Sequence, residues 1–237
     1  MLAPGPTATT LLCIGITVPA YVLVRALYLR YKHPLLNVVA LGAALIITIL
    51  VLCGLTYKDY TPAKNIMTAL LGPATVGLAV PLYRYRMLLA RNGAAILGSV
   101  ALGSFLAMLL AAVLTRLGGL PDEVVMSILP KSVSIPFAVE IAKIYNGVPP
   151  LAAAFVVATG TSGSLLGGWL LNLARVGDPT ARGLAFGTVS HGQGTATALM
   201  EGEQQGAMAG LAMILSGILT AGFAPVVVWL LGFVPAL

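Results

Sequence analysis

Apolar runs of membrane-spanning length alternate with short polar connectors along this chain. Leu11 to Leu29, Leu35 to Leu55, Gly93 to Leu114, Leu151 to Leu173 and Ala207 to Leu231 read as uninterrupted spans, each near the roughly 20 residues a bilayer-crossing helix needs. Three further stretches are as apolar but broken. Thr61 to Tyr83 carries Pro62, Gly72, Pro73, Gly77 and Pro81; Val124 to Tyr145 carries Pro130 and Pro136; Gly183 to Met200 carries Gly187, Gly192 and Gly194. The strand alternation of a membrane barrel is absent, so helices are the spanning element. The pattern predicts an all-α integral membrane protein of about seven to nine membrane-embedded segments with Pro/Gly-broken helices. No linker divides it, and a single polytopic domain over residues 1–237 is expected.

Composition agrees. The chain is 59% hydrophobic and 8% charged, against roughly 25% charged in soluble domains. The net charge of +6 is not a nucleic-acid footprint, because the cations sit in short clusters between apolar runs. Arg25, Arg30, Lys32 and His33 form one cluster and Arg84, Arg86 and Arg91 another. Placing both in the cytoplasm puts the N-terminus outside. No cationic region precedes the first apolar run, so no cleaved leader is expected. Cys13 and Cys53 both fall in apolar runs and read as small core residues, with no disulfide, metal site or cofactor implied.

The costly polar groups are concentrated in the broken stretches. Gly72-Pro73 and Leu129-Pro130 read as fresh helix starts within the membrane, because the residue before proline is pushed out of the helical region and proline fits the first helical turn. Such a start offers free N–H groups and a partial positive charge to an anion. Pro73, Ala74 and Thr75 would line one start; Pro130, Lys131, Ser132 and Ser134 would line the other, Lys131 adding a full positive charge. The competing reading has Lys131 reaching for the membrane surface and the prolines only kinking helices.

Thr188, His191 and Thr195 recur at helical spacing, with Gly192 and Gly194 leaving room for close approach by a ligand or another backbone. A buried neutral imidazole can bind a ligand or carry a proton; it can equally serve packing through a hydrogen bond between helices. Glu140 is a second candidate for proton coupling, unless it lies at the membrane edge with Lys143. Glu201 and Glu203 read as solvent-facing groups closing their segment. No nucleophile–base–orienter set, phosphate loop or dinucleotide fingerprint is found, so an enzyme is not expected. Pro73-Ala74-Thr75-Val76-Gly77-Leu78 echoes Pro130-Lys131-Ser132-Val133-Ser134-Ile135, the kind of paired break that points to a transporter's site.

Three motifs in order, Leu71 to Tyr83, Leu129 to Pro136 and Ser190 to Ala196, make the sequence resemble the LrgB/CidB family of bacterial membrane proteins over nearly its whole length. Two departures stand out: Ser134-Ile135 where threonines are common, and Gly192-Gln193 where Ala-Ile is common. The resemblance implies a multi-pass protein of the bacterial cytoplasmic (inner) membrane. It also implies two functions in tension. One is holin/antiholin-like regulation of murein hydrolase export and autolysis with a small LrgA/CidA-type partner. The other is transport, since relatives are linked to pyruvate uptake and the chloroplast glycolate/glycerate translocator has a similar region. From the sequence, the first reading is a secondary transporter of small monocarboxylates such as pyruvate, glycolate or glycerate, forming a homo-oligomer. The anion would sit between the starts at Pro73 and Pro130, with Lys131 as counter-charge. Thr75, Ser132, Ser134, His191 and Thr195 would hydrogen-bond it. The antiholin-like role is the alternative.

Overall fold

The computed structural model describes residues 6–31, 36, 38–70, 73 and 79–232. Among them there are ten helices and no strand, as an all-α integral membrane protein requires. Four are long and apolar enough to cross a membrane, over Thr7–Tyr31, Ala90–Leu117, Pro149–Leu173 and Glu203–Leu230. The chain forms two compact units, Met1–Ala79 and Val80–Leu237.

In the first unit, α1 (Pro6–Tyr31) carries α2 (Val38–Leu52) and α3 (Tyr57–Ala69). Cys13, Leu50 and Ala63 are buried together between them, and the Thr17 and Tyr60 hydroxyls meet at 3.1 Å. The second cysteine departs from expectation: Cys53 is exposed where α2 ends, one residue before Gly54 turns left-handed. α3 opens with a reciprocal cap. Asp59 Oδ2 accepts from the Thr56 N–H at 2.8 Å and from its hydroxyl at 2.6 Å, satisfying donors the helix leaves free. Ala74 and Thr75, with the rest of 74–78, lie outside the described residues, as does His33. Pro73 is described and exposed.

The second unit holds α4 (Ala79–Arg84), α5 (Arg86–Leu117), α6 (Asp122–Ile128), α7 (Ile135–Ile144), α8 (Pro149–Leu173), α9 (Pro179–Glu201) and α10 (Glu203–Leu230). Its turns are written in the sequence. Gly119, Asn146 and Arg175 take positive φ just past α5, α7 and α8, and in each case its own N–H and that of the following residue bond back to the final turn, closing carbonyls that would otherwise be orphaned. Pro149 and Pro150 then open α8, and Asp178 caps α9 by accepting from the Ala181 N–H at 2.8 Å. Met108, Val125, Met126, Leu129, Ile141, Ala224, Val227 and Val228 pack α5, α6, α7 and α10 into one core.

α9 is not a rod. At His191 the backbone leaves helical geometry, with φ 43° and ψ −131°. Nineteen residues separate Arg182 from Glu201, yet their side chains touch at 2.7 Å; a straight helix would hold the two about 28 Å apart. α9 is therefore a helical hairpin with its tip at Ser190-His191-Gly192. A Cβ on Gly194 would lie 2.3 Å from the Phe186 carbonyl oxygen of the other limb, and Phe186 and Ala198 share one core with Ala209 of α10.

A second hairpin precedes it. Pro130, which has no N–H, ends the α-helical ladder of α6. The chain continues in tighter turns, Lys131 N–H to Ile128 C=O and Val133 N–H to Pro130 C=O, before Ser134 turns extended and caps α7. α7 then runs back, until the Val148 N–H donates to Ser127 Oγ of α6 at 2.7 Å. The fresh helix start therefore lies at Ser134-Ile135, with Pro136 in its first turn, and not at Pro130.

Candidate functional site: two hairpin tips on one helix

Both tips rest on α8. Val133 and Ala138 of the first hairpin pack with Val156. The Val156 carbonyl in turn meets His191 Nε2 of the second at 3.0 Å. A carbonyl only accepts, so Nε2 carries the hydrogen and Nδ1 is the free acceptor of this neutral tautomer. His191 is 6% exposed, and its ring presses on Gly160, where a Cβ would stand 2.6 Å from Cε1 and Nε2. One turn further, Ser190 Oγ occupies the space that a Cβ on Gly163 would need. Thr161 donates to Gln193 Oε1 at 3.0 Å, and Thr195 Oγ1 donates to the His191 carbonyl at 2.9 Å. A glycine track on α8 thus seats the tip of α9. A left-handed histidine costs about 1–3 kcal/mol, and these contacts are what hold it.

On the first hairpin Lys131 is half-buried in the turn, its Nζ 3.4 Å from the buried Ser132 Oγ. No carboxylate lies within ion-pair distance of it among the described residues. Ser134, at the N-cap of α7, is half-buried beside it. The tip thus combines a cation, two hydroxyls and the start of a return limb. The second tip offers the start of Gly192–Glu201, with Gly192 exposed and Gly194 pressed against Phe186. The first tip carries the cation, and each tip presents the N-terminal start of a return limb, where N–H groups suit an anion.

Other expected residues are placed differently. Thr188 and Thr195 lie on opposite sides of the break, so no single helical face unites them with His191. Glu140 is exposed and paired with Lys143 at 2.7 Å, away from either tip's polar groups. Glu203 is exposed and paired with Arg84. Glu201 does not face solvent: it makes a two-point pair with Arg182, the side chains 18% and 11% exposed. Arg182 also donates to Asn172 Oδ1 at 2.8 Å and to the Val176 carbonyl at 3.0 Å. This clasp ties the base of the hairpin to the end of α8. Read from the sequence alone, Glu201 faces solvent; the pair forms because α9 doubles back and brings both ends of its stretch together. Nothing in the sequence marks the contacts of Gln193, Thr161 and the Val156 carbonyl.

A family model described as LrgB-like matches residues 17–230. The chain belongs to the LrgB-like family. Both hairpins, α8 and α10 fall inside the LrgB-like region. Uncharacterized protein YxaC of Bacillus subtilis is 35% identical over 93% of this chain and 96% of its own length. Holin-like protein CidB of Staphylococcus aureus is 31% identical over the same shares. Uncharacterized protein YwbG of Bacillus subtilis is 30% identical over 89% and 93%. No solved structure matches this LrgB-like chain.

Proposed function

We propose that this chain is a holin/antiholin-like membrane protein, controlling murein hydrolase export and autolysis together with a small LrgA/CidA-type membrane partner. The observation that carries this reading is the similarity to a protein named holin-like CidB along 93% of the chain, within the LrgB-like family. It reverses the order in which the sequence alone ranks the two functions. The test is the rate of autolysis in cells lacking their own LrgB-like protein, with this chain and its small partner expressed singly and together. Autolysis should change most with both; an unchanged rate in every combination would sink the reading.

A second reading has a structural observation of its own: secondary transport of small monocarboxylates across the bacterial inner membrane. An ammonium without a carboxylate partner, at a hairpin tip in a membrane protein, is costly unless it serves an anion or a pathway. Labelled pyruvate and glycolate should enter proteoliposomes containing the chain, with flux lowered by Lys131→Ala. Absence of flux in both wild type and variant refutes transport.

A further inference from the structure

The second unit repeats itself. α6 begins at Asp122 and α9 at Pro179, 57 residues on; α8 ends at Leu173 and α10 at Leu230, again 57 residues on. Each copy is a broken hairpin followed by one long apolar helix. The tips fall at matching places, Ser134 and His191 being separated by the same interval. A hairpin returns to the end from which it started, whereas the long helix crosses to the other end. Two successive copies must therefore point in opposite directions.

Side-chain contacts agree. At one end of the unit Arg84 pairs with Glu203 and Arg182 with Glu201 and Asn172, which groups the start of α10, both ends of α9 and the end of α8. At the other end Arg116 donates to the Leu231 carbonyl and Val148 to Ser127, which groups the ends of α5 and α10 with α6 and the start of α8. The first limb of α9, Pro179 to Ser190, reaches about 18 Å at 1.5 Å per residue, well short of the roughly 30 Å hydrocarbon layer.

We propose that the two hairpins enter the bilayer from opposite faces and close on one small-anion site between their tips, each hairpin being the gate from its own face. The proposal rests on the transport reading. Lys131 supplies the charge, and the starts of α7 and of Gly192–Glu201 supply converging partial charge. His191, 6% exposed, spends its Nε2 hydrogen on the Val156 carbonyl, which leaves Nδ1 as an acceptor at the second tip. Unwound backbone at membrane depth is tolerated where protein or a wet cavity surrounds it, and α8 is the wall on which both tips lean. The clasp Arg182–Glu201 fixes the second gate at its base.

The experiment is labelling by a membrane-impermeant maleimide in right-side-out and inside-out vesicles, on a Cys13→Ala, Cys53→Ser background. Leu120→Cys and Val148→Cys flank the first hairpin; Gly177→Cys and Glu203→Cys flank the second. Each pair should label from one face, and the two pairs from opposite faces. At the tips, Phe137→Cys should label from the face of Leu120 and Gly192→Cys from the face of Gly177, with pyruvate slowing both several-fold. Labelling of Gly177→Cys and Glu203→Cys from opposite faces would overturn the proposal, because α9 would then cross the bilayer. So would labelling of both tips from a single face, or tips that pyruvate does not protect. Failure of transport alone looks different: pyruvate flux is absent, while the bases and tips still label from opposite faces and pyruvate still protects both tips.

Discussion

His191 is the residue at which the geometry of the second unit is decided. Its backbone occupies a region that favours glycine, and it stays there because the ring sits on Gly160 and bonds the Val156 carbonyl. Gly160→Ala would place a methyl group 2.6 Å from the imidazole, and relief requires moving the tip. The expected cost is about 1–3 kcal/mol, read as a lowered thermal midpoint in detergent. Gly98→Ala on α5 meets nothing within 4 Å and should leave the midpoint unchanged or slightly raised. If both variants melt together, the seat is not close-packed. Ser104 gives the opposite sign. It is 3% exposed and its Oγ has no partner among the described residues, so its desolvation is uncompensated. Ser104→Ala should raise the midpoint, by about 1 kcal/mol in stability.

At the scale of elements, the clasp and the cap of α3 give two further expectations. Removing one side of the Arg182–Glu201 pair strands a buried charge, which costs about 3–5 kcal/mol. Arg182→Met and Glu201→Met should each destabilise strongly, and the double variant should recover most of the loss; additive losses in the double-mutant cycle would show the pair to be irrelevant. For α3, the Thr56 hydroxyl and N–H hold the exposed Asp59 carboxyl below its usual value of 3.8. A depressed pKa in the folded state gives stability that is present above 3.8 and lost as pH falls through the lower, folded value. Exchange of the Thr56 amide hydrogen should therefore accelerate in that acid window, and Asp59→Asn should abolish the dependence. These elements also show what the sequence made legible. Apolar run length located the long helices, though α1 and α5 begin five and seven residues before Leu11 and Gly93, and proline and glycine marked the broken stretches, because both signals are local. The doubling-back of α9 was hidden. Thr188, His191 and Thr195 keep helical spacing on paper, and it takes the His191 backbone and the contact of Arg182 with Glu201, nineteen residues away, to reveal that the chain reverses. Pro130 misled for a related reason. Its missing N–H ends one ladder, but the next helix starts only after Ser134 turns extended, with Pro136 in its first turn.

At the scale of the whole molecule, holin-like function raises the question of where a lesion would form. Within the second unit the helices meet through glycines that leave no room for even a methyl group. A Cβ would lie 2.4 Å from Gln205 O at Gly183, 2.1 Å from Ala209 O at Gly187, and 2.7 Å from the Phe186 ring at Gly167. Backbones this close pack α8, α9 and α10 as densely as a protein interior. A passage wide enough for an enzyme cannot open through them without unpacking the unit. It would have to form between copies, or between this chain and a partner. Where the passage needs the small partner, as the proposed function has it, the purified chain alone should leave vesicles tight to a trapped fluorophore such as calcein. Release should require the small LrgA/CidA-type membrane protein in the same bilayer, and dequenching of the dye measures it directly. Leakage caused by this chain alone, at protein-to-lipid ratios where it still melts cooperatively, would put the hole between copies of this chain and overturn the requirement for the partner.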